Sequence, residues 1–188
     1  MKLTNFFIFL IIFVFSSKIF SQENNIEQQN NLWFVNIDYG ILMSGIKSED
    51  FVSSNYSPLK RISFGKWINS YYGFQLVYQG TYFYSISDNY KHFYNFYFFE
   101  GLLNVKKILG LNRKKDFYGL YLHGGLGLFK NSFYKKSSLK GNIGLTNNIN
   151  ISDKLKLKLD MGAIYGNDIY QGDFDILPSL SLGITYQL

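Results

Sequence analysis

The chain has 188 residues, 20% of them aromatic, with 19 Phe and 16 Tyr, and only 17% charged. A formal charge of +6 without a dense Lys/Arg block gives no nucleic-acid footprint. The absence of cysteine excludes a disulfide framework, a Cys-based zinc site and a lipid-modified N-terminal Cys.

The N-terminal stretch has the layout of a secretory signal peptide: Lys2, then the apolar run FFIFLIIFVF at 6–15, then small residues. The run is shorter than the roughly 20 residues a membrane-spanning helix needs. Cleavage is expected after Ser21, with Ile19 at the −3 position. Removing 1–21 lowers the formal charge from +6 to +4, because the segment carries Lys2 and Lys18 and no acid. Residues 22–31, QENNIEQQNN, are polar and aperiodic and read as a flexible leader.

Residues 32–188 then form one domain of eight segments with period-two alternation, the pattern of β-strands with two unlike faces. Segment one, 32–44, places Trp33, Val35, Ile37, Tyr39, Ile41 and Met43 opposite Asn36, Asp38, Gly40 and Ser44. Segment two, about 58–68, sets Ile62, Phe64 and Ile68 against Arg61, Ser63 and Gly65. Segment three, 71–85, carries Tyr72, Phe74, Leu76, Tyr78, Tyr82 and Tyr84 on every second position apart from Gly80. Segment four, about 91–105, sets Phe93, Tyr97, Phe99, Leu103 and Val105 against Glu100 and Asn104. Segment five, 117–128, opposes leucines to Gly119, His123, Gly125 and Gly127. Segment six, about 137–150, sets Leu139, Ile143, Leu145 and Ile149 against Lys140, Asn142, Gly144 and Thr146. Segment seven, 154–166, alternates Leu155, Leu157, Leu159, Met161 and Tyr165 with Lys156, Lys158, Asp160 and Gly162. Segment eight, 177–188, alternates Leu180, Leu182, Ile184 and Tyr186 with Ser, Gly, Thr and Gln. The run KLKLKLD has a period of two rather than 3.6, so it reads as strand and not as an amphipathic helix.

The connections alternate in length. Those at 69–71 and 151–153 are short, and those at 45–57, 86–90, 129–136 and 167–176 are longer; the basic stretch 106–116 is the exception. Short turns on one side and long loops on the other are expected of an outer-membrane barrel. The less greasy face carries small polar residues with Asp38, Arg61, Glu100, Lys140, Lys156, Lys158 and Asp160, which suits a crowded interior. A thirteen-residue strand rises about 43 Å, and a tilt near 40° leaves about 33 Å, enough for an apolar band of about 25 Å. Aromatics fall near the segment ends: Trp33, Trp67, Tyr72, Tyr118 and Tyr186 towards one side, and Tyr82, Tyr84, Phe93 and Tyr165 towards the other. Two such belts mark a membrane interface. The expected fold is all-β, a closed eight-stranded antiparallel up-and-down transmembrane β-barrel.

The stretches GKWINSYYGFQLVYQG (65–80), FFEGLLNVKKILGL (98–111) and YLHGGLGL (121–128) resemble the barrel domain of OmpA-like outer-membrane proteins of Gram-negative bacteria. The likeness covers roughly residues 58–145, and LSLGITYQL at the C-terminus fits it. It implies that functional residues lie in the lumen and the outer loops, with Glu100 and Asn104 in the lumen. It also implies outer-membrane lipid and lipopolysaccharide as surroundings and the barrel-assembly machinery as a partner during biogenesis. Two departures stand out: Asn69-Ser70 replaces an expected proline, and the last residue is Leu188 rather than an aromatic. Gly65-Lys66-Trp67 also matches the G-x-W start of lipocalins, but a complete strand precedes it here, and a lipocalin lumen is apolar.

The lumen charges are expected to form two clusters, Asp38–Arg61 and Glu100–Lys158–Asp160, because a lone charge in so narrow a space is costly. His92 and His123 are the only histidines, and neither falls into a Ser–His–acid constellation, so both read as lumen or interface residues. No catalytic, cofactor or metal site is expected. The basic stretch KKILGLNRKK (106–115) reads as a solvated turn. The expectation is a monomeric, non-enzymatic outer-membrane protein with a structural or surface-interaction role, the alternatives being a narrow pore or a lipid-modifying enzyme.

Overall fold

Alternation dictates the architecture directly. Where Ile37, Tyr39 and Ile41 interleave with Asn36, Asp38 and Gly40, a strand can bury its polar side chains only by turning them inward and closing on itself. The computed structural model describes residues 32–44, 56–84, 90–111, 117–132, 135–169 and 174–188. The expected signal peptide and leader, residues 45–55 of the first loop and residues 170–173 of the last lie outside the described residues. Eight strands run in chain order: β1 (Trp33–Met43), β2 (Tyr56–Trp67), β3 (Tyr72–Tyr84), β4 (Lys91–Asn104), β5 (Tyr118–Asn131), β6 (Lys136–Asn150), β7 (Leu155–Asn167) and β8 (Phe174–Gln187). Each pairs antiparallel with its neighbour, and β1 pairs antiparallel with β8, so the sheet is a closed barrel with no free edge. Trp33 and Gln187 lie at the same end, called the terminal end below; the opposite end is the loop end.

The strands extend further than alternation indicates. β2 begins at Tyr56, β5 reaches Asn131 and β8 begins at Phe174, so the connections expected at 129–136 and 167–176 shrink to 132–135 and 168–173. Prolines do not stop the ladder: Pro58 pairs in register with Ile41 and Pro178 with Ala163. Each gives up one donor but keeps its carbonyl, and Thr81 Oγ1 donates to the Pro58 carbonyl.

At the terminal end the short turns are built by side chains. Asn69 Oδ1 accepts from the amides of Tyr71 and Tyr72, both at 2.8 Å, which explains how Asn69-Ser70 makes the turn without proline. Ser152 Oγ accepts from the Leu155 amide at 3.1 Å in the corresponding β6–β7 turn. The long β4–β5 connection, expected as a solvated basic turn, opens with a single helical turn, α1 (Val105–Ile108), in which Lys106 is buried. Asn104 caps it by accepting from the Lys107 amide at 3.2 Å, and Gly110 follows with φ 65°.

The outward face is apolar all round the barrel: Ile37, Leu76, Tyr97, Leu126, Leu139 and Leu182 are all more than half exposed. This is the arrangement of a transmembrane barrel, with the greasy side out. Trp33, Tyr72, Tyr118 and Tyr186 are exposed at the terminal end as expected. Near the loop end Tyr82 packs edge-on against Phe93, and Tyr165 lies tilted against Phe174 with centroids 6.4 Å apart. The Tyr84 side chain lies outside the described residues. Trp67 is a correction. It shares the inward parity of Arg61, Ser63 and Gly65, packs on Tyr121 at 5.1 Å and Phe34 at 6.2 Å, and stands in the mouth of the lumen rather than in the outer belt. Replacing the outward Leu76 by lysine is expected to cost about 2–4 kcal/mol at mid-barrel. Denaturant titration of refolded protein in lipid vesicles checks this; a loss near zero would show that Leu76 does not face hydrocarbon.

Candidate functional site: the charged layer of the lumen

The interior has two layers, and β4 shows the change along one strand. Its inward side chains run His92, Tyr94, Phe96 and Phe98 from the loop end, then Glu100, Leu102 and Asn104. The loop-end layer is an apolar core of Leu42, Leu59, Phe83, Tyr94, Phe96, Phe129, Ile164 and Leu177, all essentially fully buried. Tyr94 stacks on Phe129 with centroids 5.1 Å apart, and Phe96 on Phe98 at 4.3 Å. A polar lumen face throughout is therefore corrected: towards the loop end it holds a hydrophobic layer. Alternation concealed this because β4 is apolar on both faces over residues 96–99.

The chain itself covers this layer from above. Ile169, just past the end of β7, is completely buried with the core. Its amide donates to Asp175 Oδ2 at 2.9 Å, and its carbonyl accepts from Asn131 Nδ2 at 3.2 Å. Lys140 Nζ donates to the Asn167 carbonyl beside it.

Below the core lies the charged layer. Asp38, Arg61, Glu100, Lys158 and Asp160 are all inward and almost wholly buried, but they do not form the two expected clusters. Asp38 and Arg61 are register partners on adjacent strands, yet they bond elsewhere. Arg61 reaches across the lumen to Asp160 Oδ1 at 2.5 Å. Its Nε and its other terminal nitrogen donate to Gln79 Oε1 at 3.0 and 2.8 Å, and Gln79 in turn donates to the Tyr94 hydroxyl at 3.1 Å. Asp38 instead pairs with Lys158 at 2.9 Å, while Lys158 lies 3.7 Å from Asp160. Glu100 contacts neither Lys158 nor Asp160 directly. Between them stands His123, with Nδ1 at 2.8 Å from Glu100 and Nε2 at 2.9 Å from Asp160.

His123 lies in the lumen, one of the two places expected for it, and is the centre of the charged layer, a role the expected clusters did not give it. Carboxylate oxygens only accept, so an imidazole bonded to one at each nitrogen must donate from both, as the imidazolium. With that proton the layer balances: Asp38, Glu100 and Asp160 against Arg61, His123 and Lys158. Neutral groups take up much of the remaining capacity. Thr146 Oγ1 donates to Asp160 at 2.5 Å, Gln75 donates to Glu100 at 2.5 Å, and Asn142 also donates to Glu100. Asn36 ties Ser63 and Gln75 into the layer at 2.7 and 3.2 Å.

Glycines decide which charges meet. Gly183 on β8 is the register partner of both Asp38 and Lys158, and a Cβ there would strike Asp38 Oδ1. The missing side chain lets a lysine and an aspartate two strands apart bond across it. Gly144 plays the same part under His123: it is the register partner of His123, and a Cβ would collide with Nε2. Gly125, the partner of both Glu100 and Asn142, opens the gap across which those two meet. The clue in the sequence was the glycine at inward positions, which marks places where charges reach over a strand.

No protein-family model matches the chain, and no curated protein matches it. Solved structures do share its fold. Neisserial surface protein A is 14% identical with a TM-score of 0.58, over 83% of this chain and 97% of that one. The N-terminal β-barrel domain of Pseudomonas aeruginosa OprF is 12% identical with a TM-score of 0.51, over 81% and 97%. The Yersinia pestis outer membrane protein Ail, in a phospholipid bilayer nanodisc, is 13% identical with a TM-score of 0.51, over 85% and 100%. At these identities the likeness is one of fold, the small eight-stranded outer-membrane barrel. The OmpA-like resemblance is supported as far as that fold and no further.

Proposed function

We propose that this chain is a monomeric, non-conducting outer-membrane protein with a structural or surface-interaction role and no catalytic one. Its surroundings are outer-membrane lipid and lipopolysaccharide, and it depends on the barrel-assembly machinery for insertion. The observation that carries this reading is the filled lumen. A barrel whose interior is occupied by a bonded charge layer and an aromatic core has little left to act with except its lipid face and its loops. In this reading the terminal end, with its four-residue turns at 68–71 and 151–154, is the periplasmic one, and the first loop belongs to the side that meets the medium.

The chain lacks cysteine, which makes the topology directly measurable. In intact cells Ser53→Cys is expected to react with a membrane-impermeant maleimide. Ser152→Cys, in the exposed β6–β7 turn, should react only after the outer membrane is permeabilised. Labelling of both positions in intact cells, or recovery of the protein in the soluble periplasm, would contradict the proposal.

A further inference from the structure

One interior cation faces no acid. Lys156 is inward on β7 near the terminal end and only 8% exposed, and among the described residues no carboxylate pairs with it. The three acids of the charged layer are already matched by Arg61, His123 and Lys158, so the Lys156 charge is surplus in a poorly solvated space. Its nearest acceptor is neutral: with the Gln187 carboxamide turned to satisfy both of its atoms, the oxygen accepts from Lys156 Nζ at 3.1 Å. A buried ammonium with only a neutral acceptor calls for a counter-charge.

The space beside it fits one. A cavity of about 30 Å³ opens towards the terminal end, lined by Asn36, Trp67, Asn148, Lys156, Thr185 and Gln187 among others. By the same measure a water molecule needs about 10–15 Å³, so the cavity admits a halide-sized ion. Three of its walls carry buried polar atoms without a partner: Asn36 Oδ1, Asn148 Oδ1 and Thr185 Oγ1. These side chains are at least nine-tenths buried. Register holds them together, since Thr185 is the partner of Asn36 on one side and of Lys156 on the other. A threonine hydroxyl rotates to donate, and the Asn148 carboxamide turned over presents its NH₂, whereas Asn36 is fixed by its amide nitrogen donating to Ser63 and Gln75.

We propose that this cavity is a binding site for a small monovalent anion such as chloride. The Lys156 ammonium holds it by charge, the Thr185 hydroxyl and the Asn148 amide donate to it, and it enters from the terminal end. Lys158 is turned away to Asp38 and acts from behind.

Trp67 lines the cavity and is one of only two tryptophans, so it serves as the reporter. In Trp33→Phe protein folded in detergent, bromide at constant ionic strength, balanced with sulfate, is expected to quench Trp67 fluorescence saturably. Chloride should compete. Adding Lys156→Met should remove the saturable component, and adding Thr185→Val should weaken it about tenfold, the scale of one hydrogen bond to a charge. Lys154→Met, at the exposed turn nearby, should leave it unchanged. Heat-dependent gel mobility shows which variants fold, and Thr185→Val carries the test if Lys156→Met does not. Quenching that rises linearly without saturation, or saturable quenching that survives Lys156→Met or Thr185→Val at full affinity, would overturn the site.

Discussion

Replacing Asp160 by alanine is expected to lower the unfolding free energy by about 3–5 kcal/mol, the scale of breaking a buried ion pair by removing one partner. Asp160 is the hub of the charged layer. Its two oxygens take Arg61 at 2.5 Å, His123 at 2.9 Å and Thr146 at 2.5 Å, with Lys158 at 3.7 Å. Without it, three cations share a low-dielectric space with Asp38 and Glu100 only. The alternative routes out are poor, because Arg61 cannot lose its proton and the barrel wall blocks solvation. Asp160→Asn should fall between wild type and alanine, since the amide keeps an acceptor for Arg61 but loses the charge. Denaturant titration of protein refolded in detergent or lipid measures both. A loss under about 1 kcal/mol for Asp160→Ala would mean that the layer is hydrated and its ion pairs are of the weak, exposed kind.

Gly183→Val should be comparably severe, although it removes no charge. The new side chain would occupy the gap over which Lys158 reaches Asp38, and its Cβ alone would meet Asp38 Oδ1 and the Ile37 carbonyl. Either the pair separates, leaving two buried charges apart, or β8 moves away from β1. A loss of about 3 kcal/mol or more is expected on the first route. Gly101→Ala provides the control. That glycine is on the outward face, and a Cβ there meets nothing closer than the Gly124 carbonyl at 3.9 Å. Its effect should stay within about 0.5 kcal/mol. Equal effects at the two positions would show that glycine matters here only as a flexible strand residue, and not as a gap between charges.

The barrel itself was legible because its signal is repeated: eight alternating runs leave little freedom about which residues turn in. Alternation places a side chain on a face, but it does not say what lies opposite. Asp38 and Arg61 look paired because they stand side by side, yet a guanidinium on a long stem has the reach to cross the lumen, and Asp160 with Gln79 offers it more bonds than Asp38 does. Pairing across a closed lumen depends on the shear of the barrel, which no local pattern records. The part His123 plays was hidden for a similar reason: its two partners come from β4 and β7, 23 and 37 residues away in sequence. The apolar layer was hidden where β4 carries Phe96, Tyr97, Phe98 and Phe99 in succession, because a run greasy on both faces has no visible inside. Trp67 illustrates the opposite error. Its position near a strand end suggested a belt residue, and only the parity set by Arg61, Ser63 and Gly65 turns it inward.

The central claim is that the protein closes its own lumen, with charges at one level and aromatic side chains at the next. Planar lipid bilayer recording of the refolded protein tests it most directly. The closed-lumen account predicts that wild-type protein, confirmed as folded by its gel mobility before and after heating, shows little or no conductance. Large, steady, porin-like openings from the wild type would contradict it.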